Sequence, residues 1–443
     1  MTITRQPTAG PAAAVSAARA RRRPGPLRRS VRHAARSGRA PLLAAALGTV
    51  LVAGCGSTVA ANGTPAPAPA PAAIRPPLAT SLTVPGGTSW AVVDMGGSSA
   101  KNENFWQLLA RPASTAKWSL ATPPGVADNG GLVGAPLGGR TLVAGFNPSQ
   151  DLTFSPLSTT RDSGLHWTPG LLPAGLAAVP SALAAGPGGR LIALTNHGLA
   201  EMSAPGGTGW TRLASLASLA ATPAGRSCGL DGLTAAAFSL SGMPLLAGRC
   251  ASPGVAGIFA YSGGSWHQAG PALPAALAHS RVSVLRLTTA SRRTIALLTA
   301  AAPGGAASVT AAWASAAGRW ALSAPLPLRG ARILSTATGT AAGELSAFAA
   351  RVISPGPVSA AGVILSTGRA EAIVDRAADW QQLPALPAHA AALVLGPGKL
   401  ISVLAPRGTI LTSWRLTAQA RTHAVIWTRT QALRVPVPFG SSS

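Results

Sequence analysis

The sequence predicts an all-β fold, a seven-bladed β-propeller, behind an N-terminal stretch with no packed core; six or eight blades fit the same spacing. Three observations lead there. A tight or glycine-rich turn followed by a short apolar strand returns about every 50 to 55 residues. A tryptophan returns in the same phase. Gly 51 and Pro 39 in 443 residues demand many turns, and the apolar runs lack the 3.6-residue period of helices.

The turn marker comes at Gly86-Gly87, Gly138-Gly139, Gly188-Gly189, Ser241-Gly242, Arg292-Arg293, Gly343-Glu344 and Gly398-Lys399. Each precedes an apolar run, such as Leu191 to Leu194 or Leu400 to Val403. The second marker is a Trp closing a strand, mostly with a Leu-Pro-like segment after it. It falls at Trp118, Trp167, Trp210, Trp266, Trp320, Trp380 and Trp427. Aromatic residues are scarce here, yet Trp 11 outweighs Tyr 1 and Phe 7. Repeats of this length built from short strands are the signature of propeller blades. One blade cannot bury both faces alone; stacking in a ring buries them and leaves only short edges. A Trp at one point of each blade supplies a large filler between neighbouring sheets.

Residues 1–54 read as an export signal. Ten Arg and no acid lie in residues 1–40, so the formal charge of +25 falls to +15 (25 − 10) beyond them. The apolar run Leu42 to Gly54 has thirteen residues, short of the roughly 20 that span a bilayer. It suits a signal-peptide core. A start at Val31 would give a more compact basic region; Arg28-Arg29 matches a twin-arginine signal poorly. The run ends Val52-Ala53-Gly54-Cys55, which resembles the lipobox of bacterial, actinobacterial-type lipoproteins. The resemblance implies a lipidated Cys55 and a chain anchored on the extracytoplasmic face of the cell membrane. An ordinary signal peptide with a chance Cys is the alternative. Residues 55–79 form a linker whose alternating Pro-Ala, Thr64 to Ala72, favours extended polyproline II. The propeller takes residues 80–443.

Thr160-Arg161-Asp162-Ser163-Gly164-Leu165-His166-Trp167 resembles the Asp-box, the Ser/Thr-x-Asp-x-Gly-x-x-Trp hairpin of sialidase-like (BNR) propellers. Asp162 can accept backbone N–H bonds across such a turn, and Gly164 can supply positive φ. Ser203 to Trp210 keeps the spacing with Pro205 in place of the Asp. Asp375 to Pro387 resembles the end of a kelch repeat, a second propeller family.

Sialidase-like catalysis would need a Tyr nucleophile, a Glu partner and an Arg trio. Tyr261 precedes a Gly-Gly turn beside Trp266, where an outer strand is expected. Glu103, Glu201, Glu344 and Glu371 show no partner at a revealing spacing. A matched carboxyl pair for glycoside hydrolysis cannot be nominated. No His cluster has zinc-ligand spacing and no Gly loop has the phosphate-binding pattern. No cofactor, metal or catalytic residue is therefore expected. The downstream Arg are scattered without interleaved aromatics, which argues against nucleic acid. The expectation is a monomeric recognition or scaffold module for a protein or glycan, with a degenerate sialidase-like glycoside hydrolase as the alternative.

Cys228 and Cys250 are the cysteines left after Cys55. The apolar runs they flank read as a hairpin around Ser241-Gly242, with the two Cys opposite each other at its open end. Export into an oxidising compartment predicts a disulfide; two buried thiols are the alternative.

Overall fold

The computed structural model describes residues 79–84, 87–96, 104–123, 132–146, 157–168, 180–195, 198–207, 209–290, 292–341, 358–375, 377, 379–396, 400–419 and 424–436. Val52, Ala53, Gly54 and Cys55 lie outside these residues, as does most of the linker.

Short antiparallel strands follow one another in chain order. The first group is β1 (Ala79–Thr83), β2 (Ser89–Gly96), β3 (Asn104–Arg111) and β4 (Ser119–Leu120). Next come β5 (Leu132–Gly138), β6 (Thr141–Phe146) and β7 (Leu157–Thr160), which Thr168 extends through a bridge to Thr159. The third group is β8 (Pro180–Ala185), β9 (Leu191–Thr195), β10 (Leu199–Ser203) and β11 (Trp210–Ser215). After two short helices, α1 (Leu216–Ala220) and α2 (Pro223–Cys228), come β12 (Leu230–Phe238), β13 (Pro244–Cys250), β14 (Ile258–Ser262) and β15 (Ser265–Gln268).

The chain continues with β16 (Arg281–Ala290), β17 (Arg293–Ala301), β18 (Ala307–Ala314), β19 (Trp320–Leu322) and β20 (Leu326–Pro327). Then come β21 (Ile333–Ala341), β22 (Val358–Leu365), β23 (Ala370–Val374) and β24 (Gln381–Gln382). The last group is β25 (Ala392–Gly396), β26 (Leu400–Arg407), β27 (Ile410–Ala418) and β28 (Val425–Arg434). Within each group strands pair with their sequence neighbours, as a meander does, except that the short β20 pairs with β18 beside β19.

Burial follows position in the sheet. β9, β23 and β25 are buried along their whole length. Strands covered on both faces read as continuous apolar runs, and LIALT in β9 is one. The outermost β28 alternates between half-buried and exposed residues over most of its length.

Each group packs face to face on the next. Trp90 and Trp106 meet Leu142 and Phe146, and Val143 and Leu157 meet Leu191 and Ala193. Ile192 and Leu194 meet Phe238 and Phe259, and Leu245 and Ile258 meet Val284 and Leu298. Ile295 and Trp313 meet Val363 and Ile373, and Ala360 and Ile364 meet Leu393 and Val403. The last group then packs on the first: Leu404, Leu411 and Val435 meet Val93, Phe105 and Leu109. Stacked antiparallel sheets that return to their starting point are a β-propeller.

The interior is built with small side chains, so main chains come close. A Cβ on Gly339 of β21 would sit 2.2 Å from the Leu395 carbonyl oxygen. The first strands also meet across the hub. β1 pairs in parallel with β21, from Ala79 opposite Ser335 to Leu82 opposite Thr338.

The strand expected after Gly343 lies outside the described residues; among the described strands β22, which starts at Val358, pairs with β21. One expectation is corrected. The tryptophans stand in the first residues of the outer strands or just before them instead of closing a strand: Trp210 opens β11, Trp320 opens β19, Trp266 is second in β15 and Trp427 third in β28. There each indole lies against the group before it. Among the described residues no helix is long and apolar enough to cross a membrane.

Candidate functional site

The recurrent tryptophans form one system. Trp118, Trp167, Trp210, Trp266, Trp320, Trp380 and Trp427 each pack into a different inter-sheet cluster, the one shared with the preceding group. Three of the indoles also donate backward. Trp320 Nε1 donates to Ala269 O at 2.7 Å, Trp380 Nε1 to Ala324 O at 3.1 Å, and Trp427 Nε1 to Pro384 O at 3.2 Å. Each acceptor lies three or four residues after the Trp of the preceding group. The Leu-Pro-like segments after each Trp present these carbonyls. Buried Trp167 Nε1 and Trp210 Nε1 have no such partner among the described residues.

The meeting of last and first groups uses another device at an equivalent place. Gln431 stands four residues after Trp427. Its side chain accepts from Trp118 N at 2.7 Å and donates to Trp118 O at 2.8 Å. Both polar ends of one amide are spent on one residue across the seam.

Hydroxyls and a single cation hold the hub. Ser81 donates to Leu393 O at 2.5 Å, and Leu393 N donates to Ser335 Oγ at 3.3 Å. Thr234 donates to Val284 O at 2.6 Å. Arg286 of β16 donates to Thr336 O and Oγ1 at 3.1 Å, and to Ser81 O at 2.7 Å. One guanidinium thereby ties three first strands. Burial pulls its pKa down to about 10.

The turn after β7 has the geometry its spacing predicts. Thr160 Oγ1 accepts from Gly164 N at 2.8 Å, and Asp162 Oδ1 accepts from His166 N at 2.9 Å. Gly164 has φ +88°, and a Cβ there would strike Ala121. Arg140 and Thr88, from two neighbouring β-turns, both reach Ser163 Oγ. The His166 backbone and side-chain bonds hold the Asp162 carboxyl well below the usual range. His166 is spent on this turn, through Nδ1 to Asp162 Oδ2 at 2.6 Å.

Cys228 and Cys250 form a disulfide, with Cα atoms 5.0 Å apart. β12 and β13 are the expected hairpin, and Leu230 opposite Cys250 marks its open end. Two helix signals went unread beside it. Ser215 and Ser218 form a capping box, and Thr222 caps a helix with Pro223 at its start and Gly229 at φ +60° after its end.

Tyr261 lies on β14, a third strand, stacked 5.1 Å from Trp266 and away from the first strands. Glu371 is paired with Arg369, and burial raises its pKa. Asp375 pairs with Arg293 at 2.7 Å between neighbouring groups. Among the described residues no three His, Cys, Asp or Glu side chains could hold a metal ion together. The hub arginine Arg286 was missed; its signal is a charge in the middle of the otherwise apolar and hydroxyl run after Arg281 in RVSVLRLTTA. Gln431 at the seam was missed as well.

The fold and this hub define the class of protein, a β-propeller. No protein-family profile matches the chain, and no curated protein sequence does. Several solved structures are similar to it. YCF48 bound to a D1 peptide has 14% identity and TM-score 0.43, over 78% of this chain and 94% of that one. YCF48 from Cyanidioschyzon merolae has 12% identity and TM-score 0.39, over 76% and 95%. The six-bladed fucose-recognising lectin of Aleuria aurantia has 10% identity and TM-score 0.37, over 82% and 96%. The fold assignment here rests on the strand pairing and the inter-sheet clusters.

Proposed function

We propose that the chain is a lipid-anchored, extracytoplasmic recognition or scaffold module whose seven-bladed propeller binds a protein or glycan. The observation that carries this reading is the hub. Its first strands offer Ser, Thr and small apolar side chains, and its one tying cation, Arg286, is committed to main-chain carbonyls. Such a centre is a rigid frame that leaves ligand contacts to the connecting loops.

The seven blades correspond to the successive strand groups, each with its Trp under the neighbouring sheet. Thr160, Asp162, Gly164 and Trp167 act as a structural Asp-box: the Thr160 and Asp162 side chains are spent on backbone N–H groups of the hairpin. Residues 1–54 are the signal, Cys55 carries the lipid, 55–79 are the linker and 80–443 the propeller. The Cys228–Cys250 bridge supports export, since such bonds belong to oxidising compartments.

Two experiments test the parts separately. Mass spectrometry of the mature N-terminus should find a diacylglyceryl group on Cys55, and C55S should release the protein from the membrane fraction. The purified propeller should bind a defined glycan or peptide on arrays without turning over sialosides. Sialoside hydrolysis would overturn the recognition reading and leave the anchor untouched.

A further inference from the structure

Among the described residues, the seam between the last and first groups brings two cations, Arg111 and Arg415, together and pairs neither with a carboxylate. Strand alternation aims them at each other. Phe105 and Leu109 of β3 face the last group, and Arg111 has the same parity. Leu404 of β26 and Leu411 of β27 face the first group. Ser402 and Arg415 share their parities and stand opposite each other. Arg111 is only 7% exposed. Among the described residues its guanidinium donates to Ser89 Oγ alone, at 3.0 Å, and lies 5.3 Å over the Trp118 ring. Arg415 has a buried Nε with no partner among the described residues.

Two other inward-facing arginines among the described residues are compensated. Arg293 has Asp375, and Arg286 has two carbonyls and a hydroxyl. Among the described residues no carboxylate pairs with Arg111 or Arg415. Burial, and then the charge of Arg415, pull the Arg111 pKa down to about 10. A buried charge without a counter-charge is costly, and guanidinium forks match oxyanions in geometry.

We infer that this seam is an oxyanion site, in which a carboxylate or a phosphate- or sulfate-type group sits between Arg111 and Arg415 with Ser89 and Ser402 beside it. The ligand would join the two ends of the ring by ionic contacts, next to the Gln431–Trp118 clamp. This rests on the closed ring described above and not on the recognition reading. The site can fail while the propeller still binds its ligand elsewhere.

The test is thermal unfolding of the purified full chain in chloride, acetate, phosphate and sulfate at equal ionic strength. Sulfate and phosphate also stabilise proteins by exclusion from the surface, so the readout is the difference between wild type and R415Q. At about ten times Kd, wild type should gain roughly 2 °C more than R415Q from the preferred anion. The acetate arm separates a carboxylate from a tetrahedral oxyanion. A second variant, S402D, places a carboxylate opposite Arg415 and should remove the anion response. Equal responses in wild type and R415Q, or a full response retained in S402D, would overturn the site.

Discussion

Replacing Trp320 isolates the interaction that repeats around the ring. Its ring is half-buried against Val282, Leu298 and their neighbours, and its N–H donates to Ala269 O at 2.7 Å. A fully buried Trp removes about 150–250 Å² from water, worth about 4–6 kcal/mol at ~25 cal/mol per Å². Half of that, with about 1 kcal/mol for the hydrogen bond, puts W320A at roughly 3–4 kcal/mol. W320F keeps most of the ring and loses the bond, and should cost about 1–2 kcal/mol. Trp210 packs in the same way but has no indole acceptor among the described residues. W210F should therefore cost less than W320F. Equilibrium denaturation in urea, followed by tryptophan fluorescence and by far-UV dichroism, measures all three. If W320A falls within the ±0.5 kcal/mol of an ordinary surface substitution, the tryptophans do not hold the blades together.

Other predictions concern separate features. C228S/C250S opens a bridge between residues 22 apart and should lower stability by about 3 kcal/mol in the loop-entropy model, as a reductant should for wild type. Burial raises the Asp94 pKa to about 6, against about 4 for an unfolded carboxyl. The folded chain then binds the proton more tightly between those values, so its stability falls as pH rises from about 4 to about 6. D94N should remove that slope in a pH series of melts. D162A should strip the Thr160–Trp167 turn of its acceptor and speed hydrogen exchange at His166 N, with no change at the distant Trp427 seam.

The repeat was legible because two markers of different chemistry kept one phase. The Gly-bounded turns before β6, β9 and β13 and the Trp at the outer strands both came through. The sixth turn marker, at Gly343, lies outside the described residues; among those described, the partner of β21 is β22, which starts at Val358. The Cys228–Cys250 hairpin was readable from two runs around a tight turn. The helices beside it were not read, because each has fewer than two turns and hence no periodicity; only their capping residues mark them. The polar seam was the least readable part. Arg111, Arg415 and Gln431 lie hundreds of residues apart in part, and nothing local distinguishes them from exposed side chains. Their meaning comes from closure alone, where the end of the chain packs on its beginning.

An experimental structure of residues 80–443 tests the account most directly. The account predicts seven antiparallel blades, each Trp seated against the preceding blade, and the Gln431 amide bonded to the Trp118 backbone where the ring closes. Six or eight blades, or an open ring with Trp118 exposed, would contradict it.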